Sequence, residues 1–203
     1  MIVLVHGAWH GGWCWAELER SLQDLGVPSR AVDLPGHGGD HTRLADLTLD
    51  LYTEAVLSVL AEIDEPVLLV GHSLGGVTIS QVAERAPERL MGLVYLAAVL
   101  VTDGNSIVDA MSASVGGIAD SVEFSEDLSS MSVDPAAAAD LLYADCEPAA
   151  IDAAIARLQP EPFLIASTPL HVTTTGWGAV PRTYIVCTPV SYTHLTLPTN
   201  REV

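Results

Sequence analysis

The sequence contains no lysine. Its eight basic residues are all arginine, set against 26 acidic ones, and the formal net charge is −18. A surface of that sign repels phosphate backbones and anionic lipid, which argues against nucleic-acid and membrane partners. No apolar run approaches the ~18–20 residues of a membrane-spanning helix. Cysteine is scarce and odd in number: Cys14, Cys146 and Cys187. The apolar start Met1–Val5 lacks the basic stretch and small-residue cleavage site of a secretory leader. Together these features give the expectation of reduced thiols and a cytoplasmic location.

What is present is apolar and ordered. Hydrophobic residues make up 49% of 203, enough for one domain with a substantial core. Met1–Val5, Arg30–Leu34, Val67–Val70 and Gly92–Leu100 read as strands. Between them Leu18, Leu22 and Leu25 recur at helical spacing before Gly26, as do Tyr52, Val56, Leu60 and Ile63, and Leu74–Arg85 is helical up to Pro87. Strands that are apolar throughout and separated by helices predict an α/β fold, a mostly parallel sheet flanked by helices. From Thr102 to about Trp177 no strong strand is expected. Ala136–Leu142 and Ala149–Leu158 read as helices, and the stretch is read as an inserted helical cap. The sheet resumes at Arg182–Thr188. The predicted organisation is therefore a first core part over 1–101, a cap over 102–178, a core strand over 179–188 and an aberrant tail over 189–203.

The strongest chemical signal is Gly71-His72-Ser73-Leu74-Gly75-Gly76, between an apolar strand and a helix. In that context a G-x-S-x-G string is a nucleophile elbow: a sharp turn projects the Ser73 hydroxyl, and Gly71 and Gly75 keep side chains out of the tight turn. The second signal is His6-Gly7-Ala8-Trp9 after the first strand. An oxyanion hole at such a site takes one backbone N–H from the residue after the nucleophile, Leu74, and one from this earlier loop, by position Ala8. Asp33-Leu34-Pro35-Gly36-His37-Gly38 reads as a structural loop shaping the rim. The pairs His6/His10 and His37/His41 have a four-residue spacing, but on loops and without H-E-x-x-H, so no metal is expected. His72 reads as packing, and Trp9, Trp13 and Trp15 as core and pocket wall.

These motifs resemble the α/β-hydrolase superfamily. Val5-His6-Gly7-Ala8-Trp9-His10-Gly11-Gly12-Trp13 and Arg182-Thr183-Tyr184-Ile185-Val186-Cys187-Thr188 are similar, more narrowly, to the plant methylesterase and hydroxynitrile lyase family and its bacterial relatives. The resemblance implies an α/β-hydrolase fold, a serine acyl-enzyme acting on a small-molecule carboxylic ester, and no cofactor. It also implies an acidic pair directly after the strand at Arg182–Thr188, and a catalytic histidine after one more strand. Here Pro189-Val190 stand at the first position, and the remaining residues do not match. The expectation is a chain whose catalytic acid and histidine are absent, whose last strand and helices are missing, whose tail is foreign, and which is inactive as it stands. His171 and His194 are not expected to substitute. Lyase members of the family carry threonine where Gly7 stands and use a lysine, so the lyase is the lesser reading; a non-catalytic binding protein is the other. Oligomeric state and acyl specificity are left open.

Overall fold

The computed structural model describes residues 1–112 and 120–187. Five parallel strands form the main sheet: β1 (Ile2–Val5), β2 (Ser29–Val32), β3 (Val67–His72), β4 (Leu90–Leu96) and β8 (Arg182–Ile185), in the spatial order β2-β1-β3-β4-β8. Along each strand, successive side chains go to opposite faces. Val3, Val5, Leu69, Leu93 and Tyr95 join the large core on one face. Leu4 and Val70, with Ile2, Val94 and Leu96, pack with Trp15 in a small cluster on the other. Apolar residues at both parities are what a doubly covered parallel sheet requires.

The helices explain the difference between the two faces. α2 (Leu49–Ala61) is capped by the Thr48 hydroxyl, which accepts the Leu51 N–H at 3.1 Å, and it buries Tyr52, Val56 and Leu60. α3 (Gly75–Arg85) buries Val77, Ile79, Val82 and Ala83. Each of these larger side chains removed from water is worth about 1.5–3 kcal/mol. α1 (Ala16–Asp24) buries none of its residues, and Leu18 and Leu25 are exposed although their spacing is helical. Its end forms a Schellman turn: Gly26 at φ 71° closes it, with the Val27 N–H donating to the Leu22 carbonyl at 2.8 Å and the Gly26 N–H to Gln23 at 2.9 Å.

The segment between β4 and β8 carries α4 (Ile107–Ser112), α5 (Pro135–Leu142), α6 (Pro148–Ile155) and α7 (Phe163–Ser167), and in addition a second sheet. Its strands β5 (Val122–Phe124), β6 (Ser130–Val133) and β7 (Glu161–Pro162) pair antiparallel, with Phe124 opposite Met131 and Met131 opposite Glu161. From the sequence no strong strand is expected here, and nothing in it foreshadows this short sheet. Strands of two to four residues are too short to show alternation, and one of them contains a proline. β8 ends at Ile185, short of the predicted Thr188. Thr188, the tail Pro189–Val203 and His194 lie outside the described residues.

Sheet order marks where a site is expected. β1 lies between β2 and β3, so the chain leaves β1 toward one edge and returns on the other side. Ligands of open α/β sheets bind beyond the carboxyl ends of the strands at such a reversal. Val5 is in register with Gly71, so the loops after β1 and β3 emerge side by side.

Candidate active site

Ser73 follows β3 directly and has φ 50°, in the left-handed region that non-glycine residues rarely occupy. The turn is held from outside: the Ser73 carbonyl accepts the Val99 N–H at 2.8 Å and the Gly76 N–H at 3.0 Å. A Cβ on Gly71 would fall 2.8 Å from the Gly75 carbonyl oxygen, and one on Gly75 only 2.6 Å from that of His6. Both neighbours are backbone, so neither can give way cheaply. α3 starts at Gly75, and its N-terminal dipole favours negative charge beside Ser73.

The loop after β1 packs onto this turn. A Cβ on Gly7 would lie 2.7 Å from the Ser73 Cβ. Ala8 and Leu74 are both buried, and among the described residues neither N–H donates a hydrogen bond to another group. Buried backbone donors without partners are uncommon in folded proteins. The structure thus sets two unclaimed N–H groups on the segments that flank Ser73.

The histidines hold loops. His6 is fully buried. Its Nε2 accepts the Leu34 N–H at 3.0 Å and its Nδ1 lies 2.8 Å from the Gly7 carbonyl, and burial pulls its pKa down to about 3. These partners fix a neutral ring with the proton on Nδ1. His10 Nδ1 reaches the Ala8 carbonyl at 2.7 Å and its Nε2 the Tyr143 hydroxyl at 2.6 Å. His72 stands edge-on to Trp15 at 6.3 Å between ring centroids, and burial pushes its pKa down to about 4. His171 is exposed, with Nδ1 3.6 Å from Asp103 Oδ1. No imidazole among the described residues hydrogen-bonds to Ser73. Nor do those residues include a group of three or more His, Cys, Asp or Glu suited to a metal ion.

The Asp33–Gly38 loop is tied to the loops beside it. The Asp33 carboxylate accepts the Gly12 N–H at 2.6 Å and the Gly39 N–H at 3.0 Å. Trp9 and Trp15 are buried, whereas Trp13 stacks on His10 at 5.3 Å and lines a surface cavity of about 470 Å³ with Asp33 and Arg157. One cluster has no counterpart in the sequence motifs. Glu161, 1% exposed, accepts the Tyr52 hydroxyl at 3.0 Å and the Trp9 N–H at 3.3 Å, and lies 3.0 Å from His37 Nε2. A lone acidic residue between two prolines gives no such signal; only its neighbours in space do.

A family model described as the alpha/beta hydrolase family matches residues 2–197. The chain is 32% identical over 207 residues to salicylic acid-binding protein 2 of Nicotiana tabacum, covering 92% of this chain and 77% of that protein. It is 39% identical over 104 residues to a pyrethroid hydrolase of Sphingobium wenxiniae, covering 51% of this chain and 37% of that one. The crystal structure of polyneuridine aldehyde esterase is similar at a TM-score of 0.80 and 28% identity, over 90% of this chain and 78% of that one. No helix among the described residues is long and apolar enough to cross a membrane. Elbow, sheet order and these likenesses agree: the chain belongs to the alpha/beta hydrolase family, in its methylesterase-type branch.

Proposed function

We propose that the chain is built for carboxylic ester hydrolysis through an acyl-enzyme on Ser73. In this reading the Ser73 hydroxyl attacks the ester carbonyl, and the Ala8 and Leu74 N–H groups receive the developing oxyanion. The alcohol leaves, and water then releases the acid. The observation that carries the reading is the pair of N–H groups, on the buried residues Ala8 and Leu74, that no described residue claims and that flank a serine at φ 50°. An oxyanion hole needs donors that are aimed and free beforehand. The esterases among its relatives support the substrate class, a small carboxylic ester. Residues 102–178 would form the cap over the site, on a core made of 1–101 and 179–188. The three free thiols fit a reducing, cytoplasmic setting, and the acidic surface fits neither nucleic acid nor membrane.

Proton transfer is the weak point. A serine hydroxyl is a poor nucleophile until a base takes its proton, and no described imidazole is in place to do so. The 203-residue polypeptide should therefore be nearly inactive on short p-nitrophenyl esters, with only the residual of about 10³–10⁴ over water that triad knock-outs retain. Ordinary esterase turnover that Ser73→Ala abolishes would show that a base is present after all.

A lyase is the lesser reading. A threonine at position 7 would bring its Cβ 2.7 Å from the Ser73 Cβ, and no lysine exists to assist a leaving cyanide.

A further inference from the structure

The loop that carries Ala8 does not stand on the core alone. Trp9, the next residue, has φ 66°, a conformation that costs energy for a bulky side chain and persists only when its surroundings enforce it. Each polar group of Trp9 is taken by the segment between β4 and β8. Its N–H donates to Glu161 Oε2 at 3.3 Å, its carbonyl accepts the Gln159 N–H at 2.9 Å, and its indole N–H donates to the Met131 carbonyl at 3.0 Å. His10, from the same loop, holds the Ala8 carbonyl.

Glu161 is the centre of this attachment. Besides the Trp9 N–H it accepts the Tyr52 hydroxyl from α2, and His37 Nε2 sits 3.0 Å from Oε2, an ion-pair contact off the hydrogen-bond axis. Removing one member of a buried charged pair is far costlier than removing an exposed one. His37 Nδ1 lies 3.2 Å from both the Pro35 carbonyl and the Tyr52 hydroxyl. Gln159 clasps the same loop, accepting the Gly38 N–H at 2.7 Å and donating to Gly36. Four parts of the chain therefore meet at one carboxylate: the loops after β1 and β2, helix α2 and strand β7.

We infer that Glu161 is a positioning residue, which fixes the strained Ala8–Trp9 turn by accepting the Trp9 N–H while the buried His37 and Tyr52 hold its carboxylate in place. The inference rests on the proposed role of the Ala8 N–H as an oxyanion donor. It makes the cap more than a lid, because the Ala8 loop then keeps its geometry only while the cap is seated.

The test is NMR on the isotopically labelled 203-residue protein, comparing wild type with Glu161→Gln and Glu161→Met. Methionine fills the space without an acceptor, whereas glutamine keeps an acceptor oxygen. Glu161→Met should speed exchange of the Trp9 amide by about tenfold, the worth of one buried hydrogen bond. The β1 amides of Val3 to Val5 should stay as they were, and Glu161→Gln should retain most of the Trp9 protection. No loss in Glu161→Met, or equal loss in both variants, overturns the inference. A second reading needs no variant. Glu161 raises the pKa of His37 against the opposing effect of burial, so in the wild-type protein its ring should titrate above the ordinary histidine value. His6, His10, Asp33 and Tyr52 are the other titratable groups facing it. A His37 ring titrating at or below that value overturns the inference even if neither variant folds. Both readouts report loop order rather than turnover, so they stand apart from the test of ester hydrolysis.

Discussion

Gly75 shows how much one missing side chain can determine. A Cβ there would meet the His6 carbonyl oxygen at 2.6 Å and that of Val5 at 2.9 Å, both part of the backbone leaving β1. Adding it would push α3 away from the strand that carries the Ala8 loop. Gly75→Ala should therefore cost about 1–3 kcal/mol, as overpacking of a filled core does. Gly104, at φ 79° with nothing near its missing Cβ, is the control. Gly104→Ala should cost only the backbone strain, about 1 kcal/mol. Thermal unfolding of the two variants measures the difference. Equal losses would mean that the elbow has room to spare.

At the scale of elements, β8 is the exposed part of the sheet. Among the described residues it pairs with β4 alone; its last paired residue, Ile185, is 46% exposed and the next residue, Val186, 60%. An unpaired, apolar strand edge is a template for another chain. The 203-residue polypeptide should associate at micromolar concentration, seen as early elution in size-exclusion chromatography. Ile185→Lys should shift it toward monomer, and a wild type that stays monomeric would count against this view of the edge. The elements also show where sequence is a good guide. Strands β1, β3 and β4 were legible because they are apolar at both parities, and β2 and β8 as shorter runs of the same alternating strand and helix pattern. The elbow was legible because strand, glycines and helix lie in one continuous string. The small β5–β7 sheet was not, because its strands are too short for a period. Nor was α1's exposure: Leu18 and Leu25 have the spacing of a buried stripe, and spacing does not say whether anything lies opposite. Glu161 was invisible for a different reason, since its partners Trp9, His37 and Tyr52 are all 109 or more residues away.

For the whole molecule, buried histidines set the pH dependence. His6 keeps its neutral form in the fold, with a pKa near 3, but takes a proton near 6.5 when unfolded. Its shift is downward, so the unfolded state binds more protons in the window between those values, and stability falls as pH drops through it. At pH 5 this single residue should cost about 2 kcal/mol relative to neutral pH. His72 acts in the same direction. His37 is shifted upward, so its contribution is complete below about 6.5 and is lost as pH rises through its folded value. Stability should therefore peak near neutrality, and urea unfolding at pH 5, 7 and 8.5 would show it; a flat profile between pH 5 and 7 would contradict the neutral, buried state of His6. The claim on which the rest depends is that Ser73 is a nucleophile on a formed elbow, needing only a base. The direct measurement is intact-protein mass spectrometry after exposure to a fluorophosphonate probe, with and without added imidazole as a surrogate base. The account predicts one adduct, on Ser73, slow without imidazole, accelerated by it, and absent from Ser73→Ala. No adduct under either condition, or an adduct that persists in Ser73→Ala, would contradict it.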